Sequence, residues 1–296
     1  MTSAEFEARI VGWANARRDV EALVQIGSRA QPAAEVDAWS DWDYHLVVRD
    51  ARPYANPAWA AEIAPAWCVH VERTERAVTK LSGVFAGGWE ADFVPLTAWQ
   101  MRLVCWAMRR PGWRRLFPRP LRQGIANLRL IAGPGYRVVL GGPAWERRYA
   151  AVRGPWPDPV FGADQFRQCQ AAFWRHAVWV FKKSARGELR AAARWHGREV
   201  LELVYLLLAE EARLGGRRAR PEARKAERWL EPERLRQTEL APGWSRAEQA
   251  RAQLATIDVF SAAARAVAAG RGFALEPHAE IERWLRAELG RMAAGS

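Results

Sequence analysis

The chain has 296 residues, half of them hydrophobic, and a formal charge of +12 at neutral pH. That length and apolar content suffice for one large or two ordinary domains, and they exclude a disordered tail, a disulfide-stapled miniprotein and a collagen-like chain. Only four of the 45 basic residues are lysines. So strong an arginine skew reads as GC-rich coding bias, and net charge bears on partners and solubility rather than on fold, so no nucleic-acid partner is expected from it.

The start, Met1 to Glu7, is acidic and lacks a basic segment followed by an apolar run, so no signal peptide is expected. The longest apolar stretch, Leu203 to Ala209, is far below the ~20 residues a bilayer span takes. No membrane partner is expected, and a cytoplasmic location is. Cys68, Cys105 and Cys169 form no CxxC pair and read as reduced core thiols. The five histidines are scattered, which argues against structural zinc.

In chain order, Glu5 to Arg18 puts Phe6, Ile10 and Trp13 on one helical face. Val20 to Ile26 alternates as a strand running into Gly27-Ser28, and Asp43 to Val48 is a second strand. Pro57 to Ile63 is a short helix opened by proline. Trp67 to Thr74 and Val78 to Phe85 are strands, and Gly87-Gly88 turns the chain into a hairpin partner, Trp89 to Val94. From Asp92 to Glu146 nine arginines occur and no acidic residue lies between. Within it, 102–129 reads as a solvated amphipathic helix and loop; the alternatives are arginines that clamp triphosphate or a nucleic-acid contact, for which Trp106 and Trp113 among them would suit base stacking. Tyr136 to Leu140 is one more strand, and residues 142–162 form a loop-rich junction.

Helical patterns follow: Ala163 to Ala185, Glu188 to Leu214, Arg220 to Trp229, Arg246 to Ala269 and His278 to Leu289. The expected architecture is an α/β (α+β) domain over residues 1–150 and a C-terminal helical bundle over 151–296. Trp59, Trp67, Trp89, Trp99, Trp174, Trp179 and Trp195 are expected to pack the core and the domain interface, with one or two of them free to line a substrate cleft.

The chemistry lies in three acids and a glycine turn. Asp41 and Asp43, two apart on a strand, point to one face with Cα atoms roughly 6.6 Å apart. With Asp92 from a neighbouring strand they can hold two divalent cations, and an all-oxygen donor set favours Mg²⁺. Gly27-Ser28 at the first strand's end offers close backbone approach and a hydroxyl donor to phosphates. Glu90 shares a strand face with Asp92 and is a second base or a contact for substrate amines. His45 is read as a packed strand histidine rather than a metal neighbour.

Gly27 to Asp43, with Ser28-Arg29-Ala30, Val36-Asp37 and Ser40-Asp41-x-Asp43, resembles the signature of aminoglycoside 6-adenylyltransferases, the streptomycin-modifying branch of the polymerase-β-type nucleotidyltransferases. Gly12 to Asn15 and Glu90 to Phe93 extend the likeness; Phe173-Trp174, Lys182-Lys183 and Arg186 to Leu189 extend it more loosely. The resemblance implies a polymerase-β-type nucleotidyltransferase domain with a mixed sheet, followed by a helical substrate-binding domain. It implies transfer of AMP from ATP to an aminoglycoside hydroxyl with two Mg²⁺, giving antibiotic resistance, in a monomer or homodimer. Gly27, Ser28, Arg29 and Ser40 would then hold the nucleotide, with Lys182 or Lys183 reaching the phosphates. Asp41 and Asp43 would bind metals, and Asp92 would be the third ligand and the base for the attacking hydroxyl. Trp89, Glu90 and Glu199 are the expected substrate contacts, with Glu35, Asp37 and Glu202 as further acids. Gln168 to Ala172, at the start of the first bundle helix, is neutral, which keeps a lincosamide or another small-molecule hydroxyl open as acceptor. An RNA nucleotidyltransferase or nucleic-acid-binding module is the remaining alternative.

Overall fold

In a computed structural model the described residues are 1–31, 39–73, 79–154, 161–217, 219 and 223–295. The chain divides into two compact units, Met1–Pro159 and Val160–Ser296.

The first unit runs α1 (Ser3–Asn15), β1 (Val20–Ile26), β2 (Trp42–Val48), β3 (Ala66–Arg73), β4 (Thr79–Phe85), β5 (Trp89–Thr97), α2 (Ala98–Met108), α3 (Arg119–Ala132), β6 (Arg137–Leu140) and α4 (Gly142–Tyr149). The strands form one mixed sheet in the order β3-β4-β5-β2-β1-β6, in which only β2 and β5 pair in parallel. β1 and β2 are apolar on both faces because both faces are covered. On one side Leu23, Tyr44, Leu46 and Phe93 pack with Phe6, Ile10 and Trp13 of α1 and with Trp59. On the other, Val24, Ile26 and Val47 pack with Met101 and Cys105 of α2, Ile125 and Leu128 of α3, and Trp145 and Tyr149 of α4. Helix α1 begins at a capping box in which Thr2 accepts from the Glu5 amide.

The second unit is helical: α5 (Ala163–Ala185), α6 (Leu189–Trp195), α7 (Leu201–Leu214), α8 (Ala226–Trp229), α9 (Pro232–Gln237), α10 (Arg246–Arg271) and α11 (Ala279–Ala294). Its core is centred on Phe173 of α5 stacked on Phe260 of α10, ring centroids 3.5 Å apart. The expected α/β domain followed by a helical C-terminal part is the architecture found.

Several local expectations are corrected. The helix read over Glu188 to Leu214 contains a π-helical turn, His196–Val200, between α6 and α7. Gly197 lies in that turn, and the buried His196 ring meets Thr256 Oγ1 of α10 at 2.8 Å, anchoring the widened segment. The junction near 142 is helix α4, because Pro143 in the first turn needs no amide partner and sets a helical φ. Trp67 and Trp99 are exposed rather than core, at 68% and 60%. Cys68 is exposed too; it shares with Trp67 the edge strand β3, which has only β4 beside it. Glu35, Asp37 and the expected starts of the strand at Val78 and the helix at Arg220 lie outside the described residues.

Candidate active site

Strand pairing brings Asp43 and Asp92 together, and Asp41 immediately precedes β2. Asp43 lies opposite Ile26 of β1 on one side and opposite Asp92 of β5 on the other. Alternation then sets their direction: Asp43, His45 and Val47 point one way, while Trp42, Tyr44 and Leu46 fill the α1-side core. One oxygen from each of Asp41, Asp43 and Asp92 falls within 4.8 Å of the others, and all three residues are half-buried. Like charges held that close repel unless a cation lies among them. The donors are hard oxygens, which fit Mg²⁺ or a similar divalent ion.

The turn after β1 is shaped by that cluster. Gly27 has φ +70°, and a Cβ there would lie 2.0 Å from the Asp43 Oδ2 oxygen, so only glycine lets the chain pass beneath the carboxylate. Next to it the Ser28 hydroxyl is buried and has no hydrogen-bond partner among the described residues. An orphaned buried donor beside a metal-type acid cluster fits a ligand that brings its own acceptors, as a triphosphate does. Arg29 is committed to the protein: its Nε donates to the Ser40 carbonyl at 2.9 Å, and its guanidinium lies 3.6 Å from the Trp42 ring centroid. Arg29 and Ser40 thus tie the turn to the chain entering β2.

Sequence reasoning missed Lys80. Its ammonium, on β4, meets Asp92 Oδ2 at 2.5 Å and Glu72 of β3 at 3.8 Å. Burial works against its charge, but the hydrogen bond and charge of Asp92, with Glu72 and Asp43, hold the amine above its ordinary range. A signal was present, since Lys80 is the only lysine before residue 182 in an arginine-biased chain.

The remaining expected residues are placed variously. Glu90 shares the Asp92 face of β5 and is exposed. Trp89 is not brought to the acids; it lies on the opposite face, 5.4 Å from Trp42 and 6.4 Å from Phe6 by ring centroids. His45 is fully packed, with Nδ1 at 3.1 Å from the Tyr149 hydroxyl, and burial pushes its pKa down to about 4. In the second unit Lys182 is exposed on α5. Lys183 pairs with Glu188 at 2.6 Å, and Glu199 faces His176 at 3.9 Å.

A mixed sheet, a glycine turn with a buried hydroxyl unpartnered among the described residues, an Asp-x-Asp pair at the entry to a strand and a third carboxylate in register beside it define a nucleotidyltransferase. Residues 1–82 match the family model described as streptomycin adenylyltransferase, which bears out the resemblance read from the motif. The matched stretch holds Gly27, Ser28, Asp41, Asp43 and Lys80 and ends before Asp92. Among solved structures the chain is similar to an aminoglycoside 6-adenyltransferase from Bacillus subtilis, at 12% identity and TM-score 0.43, over 97% of this chain and 99% of that one. It is also similar to a nucleotidyltransferase-like protein from Exiguobacterium sibiricum, at 11% identity and TM-score 0.35, over 99% and 89% of the two chains. No curated protein matches the chain.

Proposed function

We propose that the protein transfers AMP from ATP to a hydroxyl of an aminoglycoside of the streptomycin type, in the cytoplasm, and so confers resistance. The observation that carries this reading is the trio Asp41, Asp43 and Asp92, within 4.8 Å, beside the Ser28 hydroxyl, which has no partner among the described residues. The N-terminal family match supports the nature of the acceptor.

Asp41, Asp43 and Asp92 would hold the two Mg²⁺ ions. When bound, the metals supply charge neutralisation at the phosphoryl oxygens of an in-line displacement. The Gly27-Ser28 turn receives the triphosphate, its backbone approaching closely because position 27 has no Cβ. Asp92 takes the proton of the attacking acceptor hydroxyl, whose oxygen then attacks the α-phosphorus, and pyrophosphate departs. Lys80 positions Asp92 by holding one of its oxygens, which fixes the direction of the other. Glu90, on the Asp92 face of β5, is the proposed contact for acceptor amines.

A second reading, a less cationic acceptor such as a lincosamide, is favoured by one observation: the ammonium of Lys80 stands at the acid cluster. α-Labelled ATP and Mg²⁺, incubated with streptomycin, other aminoglycosides, lincomycin and short RNA, separate these. Labelled streptomycin with matching pyrophosphate release is the expected result. Label on lincomycin alone selects the second reading, and label on RNA alone or on nothing overturns both.

A further inference from the structure

Helix α2 leaves a row of large apolar side chains uncovered. Trp99, Leu103 and Trp106 recur at i, i+4 and i+7, so they share one helix face. They are 60%, 42% and 41% exposed. The short 3₁₀ turn that follows, Pro111–Leu116, continues the row with Trp113 and with Leu116, which is 79% exposed. The other face of α2 is ordinary core, with Met101, Cys105 and Met108 buried. Exposed residues of this size rarely gather on one face without a partner.

The border of the row is cationic. The Arg110 guanidinium lies 4.2 Å from the Trp106 centroid and 5.8 Å from that of Trp113, and the two indoles are 6.2 Å apart. Arg109, Arg114, Arg115, Arg119 and Arg122 are exposed around it. Among the described residues, Arg114, Arg115, Arg119 and Arg122 have no acidic partner, and the sequence offers no acid between Asp92 and Glu146.

We propose that this face docks on an anionic phospholipid surface. The indoles and the two leucines enter the boundary between headgroups and acyl chains, while the arginines keep their guanidinium groups at the lipid phosphates. The chemistry selects this occupant. Leu103 and Leu116 have no π-face on which a base stacks, and Arg110 already covers the ring of Trp106, which disfavours single-stranded nucleic acid. A second copy presenting the same arginine-rich face is repelled. The association is at a surface, since no helix is long and apolar enough to cross a membrane among the described residues. It stands independently of the proposed reaction.

Sedimentation of the full chain with vesicles of phosphatidylcholine, alone or mixed equally with phosphatidylglycerol, tests this. The expected result is co-sedimentation with the anionic vesicles only, weakened by added salt, with tryptophan fluorescence quenched by lipids brominated in the acyl chain. Arg114→Gln with Arg115→Gln weakens partitioning about 25-fold, from about fivefold per lost arginine. Trp113→Ser with Leu116→Ser, both at exposed positions, lowers it on the order of tenfold or more while circular dichroism stays unchanged. Equal binding to both vesicle types, no quenching by brominated lipid, or full binding by either variant overturns the proposal. So does an RNA oligonucleotide that binds this face in preference to vesicles, or a dimer in ultracentrifugation that the Trp113→Ser and Leu116→Ser variant abolishes.

Discussion

The Lys80 ammonium lies 2.5 Å from the Asp92 Oδ2 oxygen, so the third carboxylate of the cluster carries its own counter-ion from the adjacent strand. A cation arriving among the acids shares Asp92 with that ammonium and is repelled by it. Lys80→Met therefore tightens Mn²⁺ binding on the order of tenfold, given the few kcal/mol between unit charges ~6 Å apart at an effective dielectric of ~20 and the discount solvent imposes. Isothermal titration of the nucleotide-free protein reads this directly. An unchanged affinity means that Lys80 and the metal do not compete for Asp92.

Asp43 and Asp92 face each other in the parallel pair of β2 and β5 but have different proposed tasks. Asp43→Asn keeps size and polarity while removing a charged ligand, and is expected to lower turnover by about 10³-fold or more with the thermal midpoint held or raised, as like-charge repulsion falls. Asp92→Asn is expected to lose ~10²–10⁴-fold and to abolish the acidic limb of the pH–rate profile, because the proton acceptor is gone. A retained acidic limb in Asp92→Asn assigns the base elsewhere.

The sheet was largely legible because its strands are short apolar runs bounded by glycine turns, and β1 coincides with the alternating stretch Val20 to Ile26. The acid pair was legible because Asp-x-Asp spacing at the entry to a strand turns both carboxylates to one side: Asp43 is in β2, Asp41 immediately precedes it, and both meet Asp92 within 4.8 Å. Lys80 was not, because its role depends on register: Ser82 lies opposite Asp92, and Lys80 reaches diagonally from two residues along β4. The side of β5 that Trp89 takes was not legible, because composition does not say which face of a strand an indole occupies; its packing on Phe6 and Trp42 does. The break at His196 was hidden because a π turn keeps the helical composition around it.

Gly27 bears two constraints at once, a left-handed φ of +70° and the Asp43 oxygen 2.0 Å from where a Cβ would stand. Gly27→Ala therefore costs about 1–2 kcal/mol for the backbone alone, and the displaced carboxylate loses metal. The expected phenotype is a lowered thermal midpoint together with weaker Mn²⁺ binding and a fall in turnover. Gly88→Ala is the control: it too has a left-handed φ, +76°, but its Cβ would meet nothing within 4 Å. It is expected to lose stability by a similar amount and to keep metal affinity. Equal metal affinity in the two variants would show that the turn does not depend on close approach to Asp43.

In the helical unit, burial pushes His196 down to about 4, and its ring is held neutral against Thr256. In the unfolded chain the same imidazole titrates near 6.5. Between those values the unfolded state binds the extra proton, so stability rises with pH there, is fully present above 6.5 and is lost as pH falls towards 4. Acidification from pH 7 to 4.5 is expected to remove about 2–3 kcal/mol through this one group. His196→Gln has no proton to gain. Its stability at pH 7 drops, but its decline with acid is shallower by that amount, read as the difference between the two proteins' urea-unfolding free energies at each pH. Parallel declines would mean that the imidazole is protonated in the folded protein at the same pH as in the unfolded one, and that acid sensitivity arises from other groups.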